Sequence, residues 1–333
     1  MRLTIAFFIA ICCIAAGRRP TVRKFLITGE GQGTTYQVIY YSLDSVVTKK
    51  QIDSIIDRID SSLSLYKPYS LINRFNHSDS GIIVDDHFLA VLNKSLKTFR
   101  DTEGLFDVTV QPLVQAWGFG AKPITELPDS HAIRSLKECV GSQHLQVLDN
   151  RIVKKKSCTQ IDLNGIAQGY TVDVIAGLLD QHFLLNYMVE LGGEIRVKGR
   201  KQPDNEKMKV GIETPGDDEF QRRIMQKVIT IDQGAITTSG NYRRYYESQG
   251  KRISHLIDPR TGYPVQNELI SVSVYAEDAM TADALDNALM VMGLEKAIKF
   301  VEDRKDLAAH FVYKAKNGSI HDTMSTRFYQ LIK

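Results

Sequence analysis

Three oxygen-bearing side chains share one face of a predicted helix late in the chain. In Thr281 to Gly293, TADALDNALMVMG, the residues Asp283, Asp286 and Asn287 stand at i, i+3 and i+4, which places them on one helix face. Side-chain oxygens suit a hard cation such as Mg²⁺. The alternative needs no metal, because Thr281 could cap the helix and acidic residues in its first turn could satisfy the helix dipole.

Polar, turn-forming residues also come at the ends of predicted elements in three stretches, residues 162–170, 237–243 and 254–264. Asp162 and the glycine-bearing backbone after it could bind a cation or a phosphate, or Asp162 could only cap the next helix. Thr237–Gly240 before Arg243 could bind an anion or form an ordinary turn. His255 could act as a base near neutral pH, or it could be structural.

The charge balance excludes one large class of partners. Of 333 residues, 42 are basic and 39 acidic, and the net charge is +3. Without a basic stripe interleaved with aromatic residues, we expect no nucleic-acid binding. Beyond the first 17 residues the cysteines are Cys139 and Cys158. They could form a disulfide in an exported protein or remain two buried thiols.

Residues 1–17 are predicted to be a leader. Arg2 precedes the uncharged run Leu3 to Ala16, which ends in small residues, as secretory signals do. Cys12 and Cys13 add the alternative of a lipid-modified cysteine, and the leader could also remain as an anchor. We therefore predict an exported, periplasmic protein, attached to the inner membrane by an uncleaved leader or a lipid anchor, with cleavage as the alternative.

The elements that must position these residues do not follow a steady β-α-β rhythm. Apolar periodicity predicts helices near residues 52–63 and 86–101, and alternation predicts a hairpin of residues 145–148 and 152–155. Residues 64–76 are predicted to be an ordered loop. The pattern indicates an α+β fold, a single large domain over residues 22–333 with mixed or antiparallel sheets and packed helices.

Eight motifs follow one another along roughly residues 24–330: YQV, SLYKPYSLINRFN, GLFDVTVQPLVQAWGFG, DLNGIAQGYTVD, ELGGEI, TTSGNYRRYY, SHLIDPRTGYPV and ADALDNALMVMG. Their order and wording resemble the ApbE family, the Mg²⁺-dependent FAD:protein FMN transferases. The resemblance implies an ApbE-like domain that cleaves the FAD pyrophosphate, releases AMP and attaches FMN to a threonine, sometimes a serine, of an acceptor protein. Family acceptors include subunits of membrane redox complexes, and we expect such an acceptor here.

The resemblance also implies a role for individual residues. The Mg²⁺ site would be Asp283, Asp286, Asn287 and the backbone carbonyl of Gly165. The substrate FAD would contact Tyr66, Trp117, Gly118, Phe119, Asp162, Gln168 and Ile257. His255 would deprotonate the acceptor hydroxyl. Three positions depart from the family pattern. The family commonly has Thr at position 287, often a charged residue at position 168, and often a methionine before Gly-Thr, where this chain has Gln32.

Two other activities fit the same residues. Water in place of the acceptor hydroxyl would make the protein an Mg²⁺-dependent FAD pyrophosphatase that forms FMN and AMP. An exported flavin-binding protein without turnover is the third possibility, although flavin binding by itself requires neither the two aspartates nor His255.

Overall fold

The computed structural model describes residues 21–214, 225–241, 245–248 and 251–332. The predicted leader, residues 1–17 with Cys12 and Cys13, lies outside these ranges, and so does Arg243. Within the described ranges, no helix is both long enough and apolar enough to cross a bilayer.

The strands, in chain order, are β1 (Arg23–Gly31), β2 (Thr34–Ser42), β3 (Gly81–Ile83), β4 (Leu145–Leu148), β5 (Arg151–Lys154), β6 (Tyr187–Leu191), β7 (Glu194–Lys198), β8 (Arg200–Lys201), β9 (Glu206–Thr214), β10 (Met225–Ile231), β11 (Gln233–Gly240), β12 (Tyr245–Ser248), β13 (Lys251–Ser254), β14 (Leu269–Ala276), β15 (Ala308–Lys314) and β16 (Ile320–Met324). The helices are α1 (Lys49–Leu63), α2 (Leu71–His77), α3 (Asp86–Asp101), α4 (Gln111–Ala116), α5 (Ser130–Lys137), α6 (Ala167–Gln181), α7 (Ala279–Met292), α8 (Leu294–Glu302) and α9 (Thr326–Leu331).

An eight-stranded sheet organises the molecule, in the spatial order β1-β2-β6-β7-β11-β14-β15-β16. Neighbouring strands in it run antiparallel. Smaller antiparallel sheets are formed by β10-β9-β8, β12-β13 and β3-β5-β4. The predicted α+β class is therefore confirmed, and the sheets are of the antiparallel kind.

Alternation of side chains along the strands separates the core into layers. In β6, Tyr187 and Val189 point toward α1, α3 and α6, whereas Met188 points to the opposite face, toward β9, β10 and α9. A further apolar cluster joins α7 and α8 to β14 and β15. Helices thus cover one face of the sheet, and the β9–β10 hairpin with α9 covers the other.

The predicted helices near residues 52–63 and 86–101 and the hairpin of β4 and β5 are confirmed. The prediction that residues 64–76 are entirely loop was wrong, because α2 begins at Leu71. Its N-cap is Ser70, whose side chain accepts a hydrogen bond from the Asn73 N–H at 3.3 Å. Ile72 and Phe75 are both fully buried. A helix of only two turns contains too few apolar residues to show a clear helical period in the sequence.

Cys139 and Cys158 are joined in a disulfide, with their Cα atoms 5.4 Å apart. Of the two alternatives for these cysteines, the structure confirms the bridge. It ties the loop after α5 to the segment that leads into Asp162, and the Thr159 hydroxyl donates to the Cys139 carbonyl at 3.1 Å across the same junction. The bridge therefore fixes the approach to one of the predicted site residues.

Candidate active site

A cleft of 1590 Å³ opens at the end of the sheet where β1 meets β2. Most of the predicted site residues line it: Tyr66, Phe119, Asp162, Gly165, Gln168, His255, Ile257, Asp283, Asp286 and Asn287. These residues come from distant parts of the chain, so only the tertiary structure brings them together.

One side of the cleft, here called the α7 wall, carries Asp283 and Asp286. Their side chains are only 5% and 1% exposed. The Gly169 N–H donates to Asp283 Oδ2 at 2.9 Å, and the Thr237 hydroxyl donates to Asp286 Oδ2 at 2.7 Å. Two carboxyl groups are therefore held buried and oriented at the cleft surface.

Asn287 completes the α7 wall. Its Nδ2 donates to Asp286 Oδ1 at 3.0 Å and to the Gly165 carbonyl at 3.3 Å, and its Oδ1 accepts from the Ser239 hydroxyl at 3.2 Å. The Asn287 amide thus joins two other predicted metal-binding positions, Asp286 and Gly165. A Cβ at Gly165 would lie 3.3 Å from Asn287 Nδ2. A larger residue at position 165 would therefore fit only if the Asn287 side chain moved slightly.

Strand alternation explains how β11 reaches this wall. Thr237 and Ser239 lie two residues apart, so both face α7, whereas the Thr238 hydroxyl lies 2.8 Å from that of Ser273. Residues 237–240 belong to β11, so the alternative of an ordinary turn was wrong. The anion-binding role of this segment stays a prediction. If TTSG had been interpreted as a strand, its alternation would have placed Thr237 and Ser239 on the same face, where both can contact α7.

The structure corrects the predicted start of the helix. α7 begins two residues before Thr281, and its N-cap is Asp278, which accepts from the Thr281 N–H at 2.7 Å. Its first turn contains no acidic residue, so Asp283 and Asp286 do not serve the dipole of their own helix. That metal-free explanation of the two aspartates was wrong.

α6 and α7 instead cap each other. Asp173 of α6 accepts from the Ala279 and Met280 N–H groups at 3.0 and 2.9 Å, while Asp283 of α7 accepts from Gly169 near the start of α6. A Cβ at Gly169 would lie 2.4 Å from the Ala279 carbonyl oxygen. Only glycine allows the helices to approach this closely, a requirement that the sequence did not reveal.

Burial raises the pKa of both carboxyl groups on the α7 wall, because it removes water from the charged forms. For Asp286 the negative charge of Asp283 raises the pKa further. Among the described residues, neither forms an ion pair with a lysine or arginine. Without a cation beside them, the two carboxyl groups therefore favour their neutral, protonated forms.

Two carboxylates and a backbone carbonyl suit a hard cation. The Asn287 oxygen would join them after rotation of its amide, because Nδ2 now faces Asp286 and Gly165. Within the described ranges there is no group of three or more His, Cys, Asp or Glu side chains arranged for a metal. The fit depends on neutral oxygens completing the pair of carboxylates, as the predicted set does.

Another part of the cleft lining, here called the aromatic wall, consists mainly of loop residues. Phe119 and His255 make an edge contact with ring centroids 6.2 Å apart, and Phe119 also contacts Tyr246 at 5.2 Å. His255 directly follows β13 and is half-buried. Ile257 is buried in the same apolar cluster, so this wall offers ring surfaces with a histidine among them.

Trp117 and Gly118 lie behind the aromatic wall and do not line the cleft. The Trp117 indole N–H donates to the Gly262 carbonyl at 2.8 Å, and the Tyr246 hydroxyl donates to the Trp117 carbonyl at 2.9 Å. Gly118 is exposed, with φ +83°. The structure thus gives Trp117 a supporting place, since it connects α4 to the 255–263 loop.

The remaining predicted FAD contacts lie at the ends of elements. Tyr66, in the loop after α1, is 54% exposed at the cleft surface. The Asp162 carboxyl accepts from the Asn164 N–H at 2.8 Å, which shapes the turn that carries Gly165. Gln168 is half-buried in the first turn of α6. These three surround the α7 wall with polar and aromatic groups.

The sequence of this chain matches the model of the ApbE family over residues 32–311. The FAD:protein FMN transferase of Vibrio cholerae is 36% identical over 301 residues, which cover 88% of this chain and 89% of that protein. The Escherichia coli enzyme of the same name is 36% identical over 314 residues, covering 91% of this chain and 88% of that one.

Solved structures agree. The flavin transferase ApbE from Vibrio cholerae superimposes with a TM-score of 0.83 at 33% identity, covering 93% of this chain and 99% of that one. The apo flavinyl transferase ApbE of Pseudomonas stutzeri gives a TM-score of 0.84 at 32% identity, covering 94% and 98%. Family model, relatives and fold therefore all assign this chain to the ApbE family.

Proposed function

We propose that this protein transfers FMN from FAD to a threonine or serine hydroxyl of an acceptor protein and releases AMP. One observation supports this most directly: a buried pair of carboxyl groups and a half-buried histidine line the same cleft. A pyrophosphate is a dianion, so catalysis of its cleavage requires positive charge beside it.

Asp283, Asp286, Asn287 and the Gly165 carbonyl would hold that charge as Mg²⁺. A bound Mg²⁺ ion supplies electrostatic stabilisation to the phosphate oxygens during transfer. Thr237 and Ser239 orient the ligands, because each donates a hydrogen bond to one of them. Asp283 keeps its position through the backbone of Gly169.

His255 would accept the proton of the acceptor hydroxyl. The acceptor oxygen forms a bond to the FMN phosphorus as the bond between that phosphorus and the bridging oxygen breaks, and AMP leaves with the bridging oxygen. Phe119 and Ile257, beside His255, offer apolar surface to a flat ring. Tyr66, Asp162 and Gln168 would contact FAD around them, with Trp117 and Gly118 supporting the wall from behind.

The acceptor would be a subunit of a membrane redox complex, and the protein would be exported and held at the periplasmic side of the inner membrane. The apolar run Leu3 to Ala16 supports this location. Hydrolysis of FAD to FMN and AMP is the second candidate, because the same groups could activate water.

The test is to incubate the purified protein with FAD, Mg²⁺ and an acceptor protein that carries a threonine, and to measure the acceptor mass and the AMP released. We expect the acceptor to gain the mass of FMN in step with AMP. AMP release without acceptor modification would support hydrolysis, and bound but unchanged FAD would support the flavin-binding alternative.

A further inference from the structure

The opposite end of the sheet from the cleft carries exposed apolar side chains. They are Val22, Leu43, Val46, Phe183 and Leu185, which are 38%, 45%, 38%, 89% and 66% exposed. We call this set the apolar end. No part of the proposed reaction uses it.

Backbone pairing brings Val22, Leu43 and Leu185 to the same end, and Phe183 lies two residues before Leu185. Arg23 pairs with Ser42, so Val22 and Leu43 lie at the same end of the β1–β2 pair. The Arg23 guanidinium also donates to the Leu43 carbonyl at 3.0 Å. The Tyr41 N–H donates to the Asn186 carbonyl at 3.0 Å, which places Leu185 beside that same end.

Phe183 occupies a position that ordinarily disfavours its side chain. It follows the C-cap of α6 with φ +57°, and the Leu184 N–H donates back to the Leu179 carbonyl at 3.1 Å. Glycine or asparagine is preferred at this left-handed position, because a Cβ there is strained. Contacts within the described chain do not account for an aromatic ring at this point, since 89% of it is exposed.

The length of chain before the structure indicates what covers the apolar end. Residues 1–20 lie outside the described ranges, and the apolar run Leu3 to Ala16 is separated from Val22 by only the five residues 17–21. Five extended residues reach at most about 18 Å. A bilayer that held the run would therefore lie close to the apolar end.

Charge near this end is also complementary to a lipid surface. Arg18 and Arg19 lie in the connecting residues, and Arg23 and Lys24 begin β1. Such basic residues are attracted to anionic headgroups. Asp44 lies at the same end but is paired with Arg23 at 3.4 Å, so it opposes this attraction only in part.

We propose that the apolar end rests on the surface of the bilayer that holds the N-terminal segment, with Phe183 and Leu185 in contact with lipid. The proposal rests on the membrane attachment proposed above and is independent of the flavin chemistry. β1 runs from the apolar end at Arg23 to the cleft at Glu30 and Gly31. Nine residues of strand span about 27 Å, so β1 separates the cleft from the apolar end by about that length.

The test uses tryptophan fluorescence in the full chain. Trp117 is the single tryptophan and is buried, so the emission of a new exposed indole is obtained by difference. Phe183→Trp protein is reconstituted into vesicles of phosphatidylethanolamine and phosphatidylglycerol, with or without a lipid spin-labelled near the headgroup. We expect the spin label to quench most of the added emission.

Tyr329→Trp is the matched control. Tyr329 is 56% exposed and lies on α9, whose Phe328 stacks on His310 of β15 near the far edge of the sheet. Its added emission is expected to be unchanged by the spin label. FMN transfer is assayed in the same samples, so loss of the reaction is distinguished from loss of membrane contact.

Three outcomes would overturn the proposal. If the protein floats with the vesicles but the added Phe183→Trp emission is not quenched, attachment through the N-terminal segment would be supported and the lipid contact of the apolar end would be contradicted. Protein that does not float would remove the attachment and the proposal together. A concentration-dependent shift of the Phe183→Trp emission without vesicles would assign the apolar end to a second copy of the chain.

Discussion

On the α7 wall the polar groups are buried and hydrogen-bonded within regular elements, whereas the aromatic wall presents half-exposed rings mainly from loops. Asp286 is 1% exposed and bonded to Thr237 of β11. His255, on the aromatic wall, is half-buried at the end of a two-stranded hairpin. The two walls therefore differ in how much freedom their functional groups keep.

The difference follows from what each wall must handle. Stabilisation of a charged group depends on ligands that are already oriented, because reorganising them at the moment of reaction costs energy. A base that takes a proton from a separate acceptor protein must remain accessible to that protein. Substitutions on the two walls should therefore have different consequences for metal binding and for proton transfer.

Asp286→Asn should remove Mg²⁺-dependent transfer. The substitution keeps the volume of the side chain but removes one of two carboxylates. Changes to outer partners of metal ligands cost about 10–100-fold, so loss of a ligand should cost more. The measurement is the rate of acceptor modification against Mg²⁺ concentration, with Asp306→Asn, a change in an exposed ion pair with Arg304, as control. Wild-type rates in Asp286→Asn would show that the α7 wall is not the metal site.

His255→Ala should slow transfer by about 10²–10⁴-fold, the usual contribution of a positioned base, and should leave FAD affinity nearly unchanged. Single-turnover transfer and equilibrium FAD binding separate the two effects. A parallel loss of both would mean that His255 binds flavin, and the two walls would then share one role.

Thr237→Val should weaken Mg²⁺ binding by about 10–100-fold while transfer at saturating Mg²⁺ largely recovers, because Thr237 only orients Asp286. Thr238→Val is the control, because Thr238 lines the cleft but its hydroxyl contacts Ser273 rather than Asp286. Calorimetric titration with Mg²⁺ gives the affinities. Equal effects of the two substitutions would contradict the orientation role.

The stability of the metal-free protein should fall as pH rises. Burial raises the pKa of Asp283 from 3.8 to about 7. The contribution of its protonated form to folding stability is therefore fully present below the pKa of the unfolded chain. That contribution is lost as the pH rises through the pKa of the folded protein. Between these two pKa values, the free energy of unfolding falls by about 1.4 kcal/mol per pH unit for one carboxyl group. Asp283→Asn removes that group.

The measurement is the thermal midpoint of wild type and Asp283→Asn at pH 5 and pH 8 without Mg²⁺. The thermal midpoint of the variant, relative to that of wild type, should be higher at pH 8 than at pH 5. Added Mg²⁺ should raise the midpoint at pH 8 in wild type only. An equal pH response in both proteins would show that the charge on Asp283 is already compensated.

Local pattern was sufficient for much of the fold. Apolar residues at helical spacing predicted α1 and α3, because a helix that packs on a sheet must bury one stripe. The i, i+3, i+4 spacing placed Asp283, Asp286 and Asn287 on one face, since the helical repeat fixes direction whatever surrounds the helix.

Other features depend on partners distant in the chain. Thr237 reaches Asp286 across 49 residues, and Gly169 reaches Asp283 across 114. Short-range pattern contains no information about such pairs. The residues that complete the α7 wall were therefore either given another role or missed.

Ordered motifs and helical periodicity are local features of the chain, and they were sufficient to predict the family, the α+β class and the candidate roles of the two aspartates and His255. Tertiary structure decided that Asp278 rather than Thr281 caps α7, that Trp117 supports the cleft from behind, and that Cys139 and Cys158 are bonded. Burial and long-range hydrogen bonding decided these points, and both arise only when separate elements pack together.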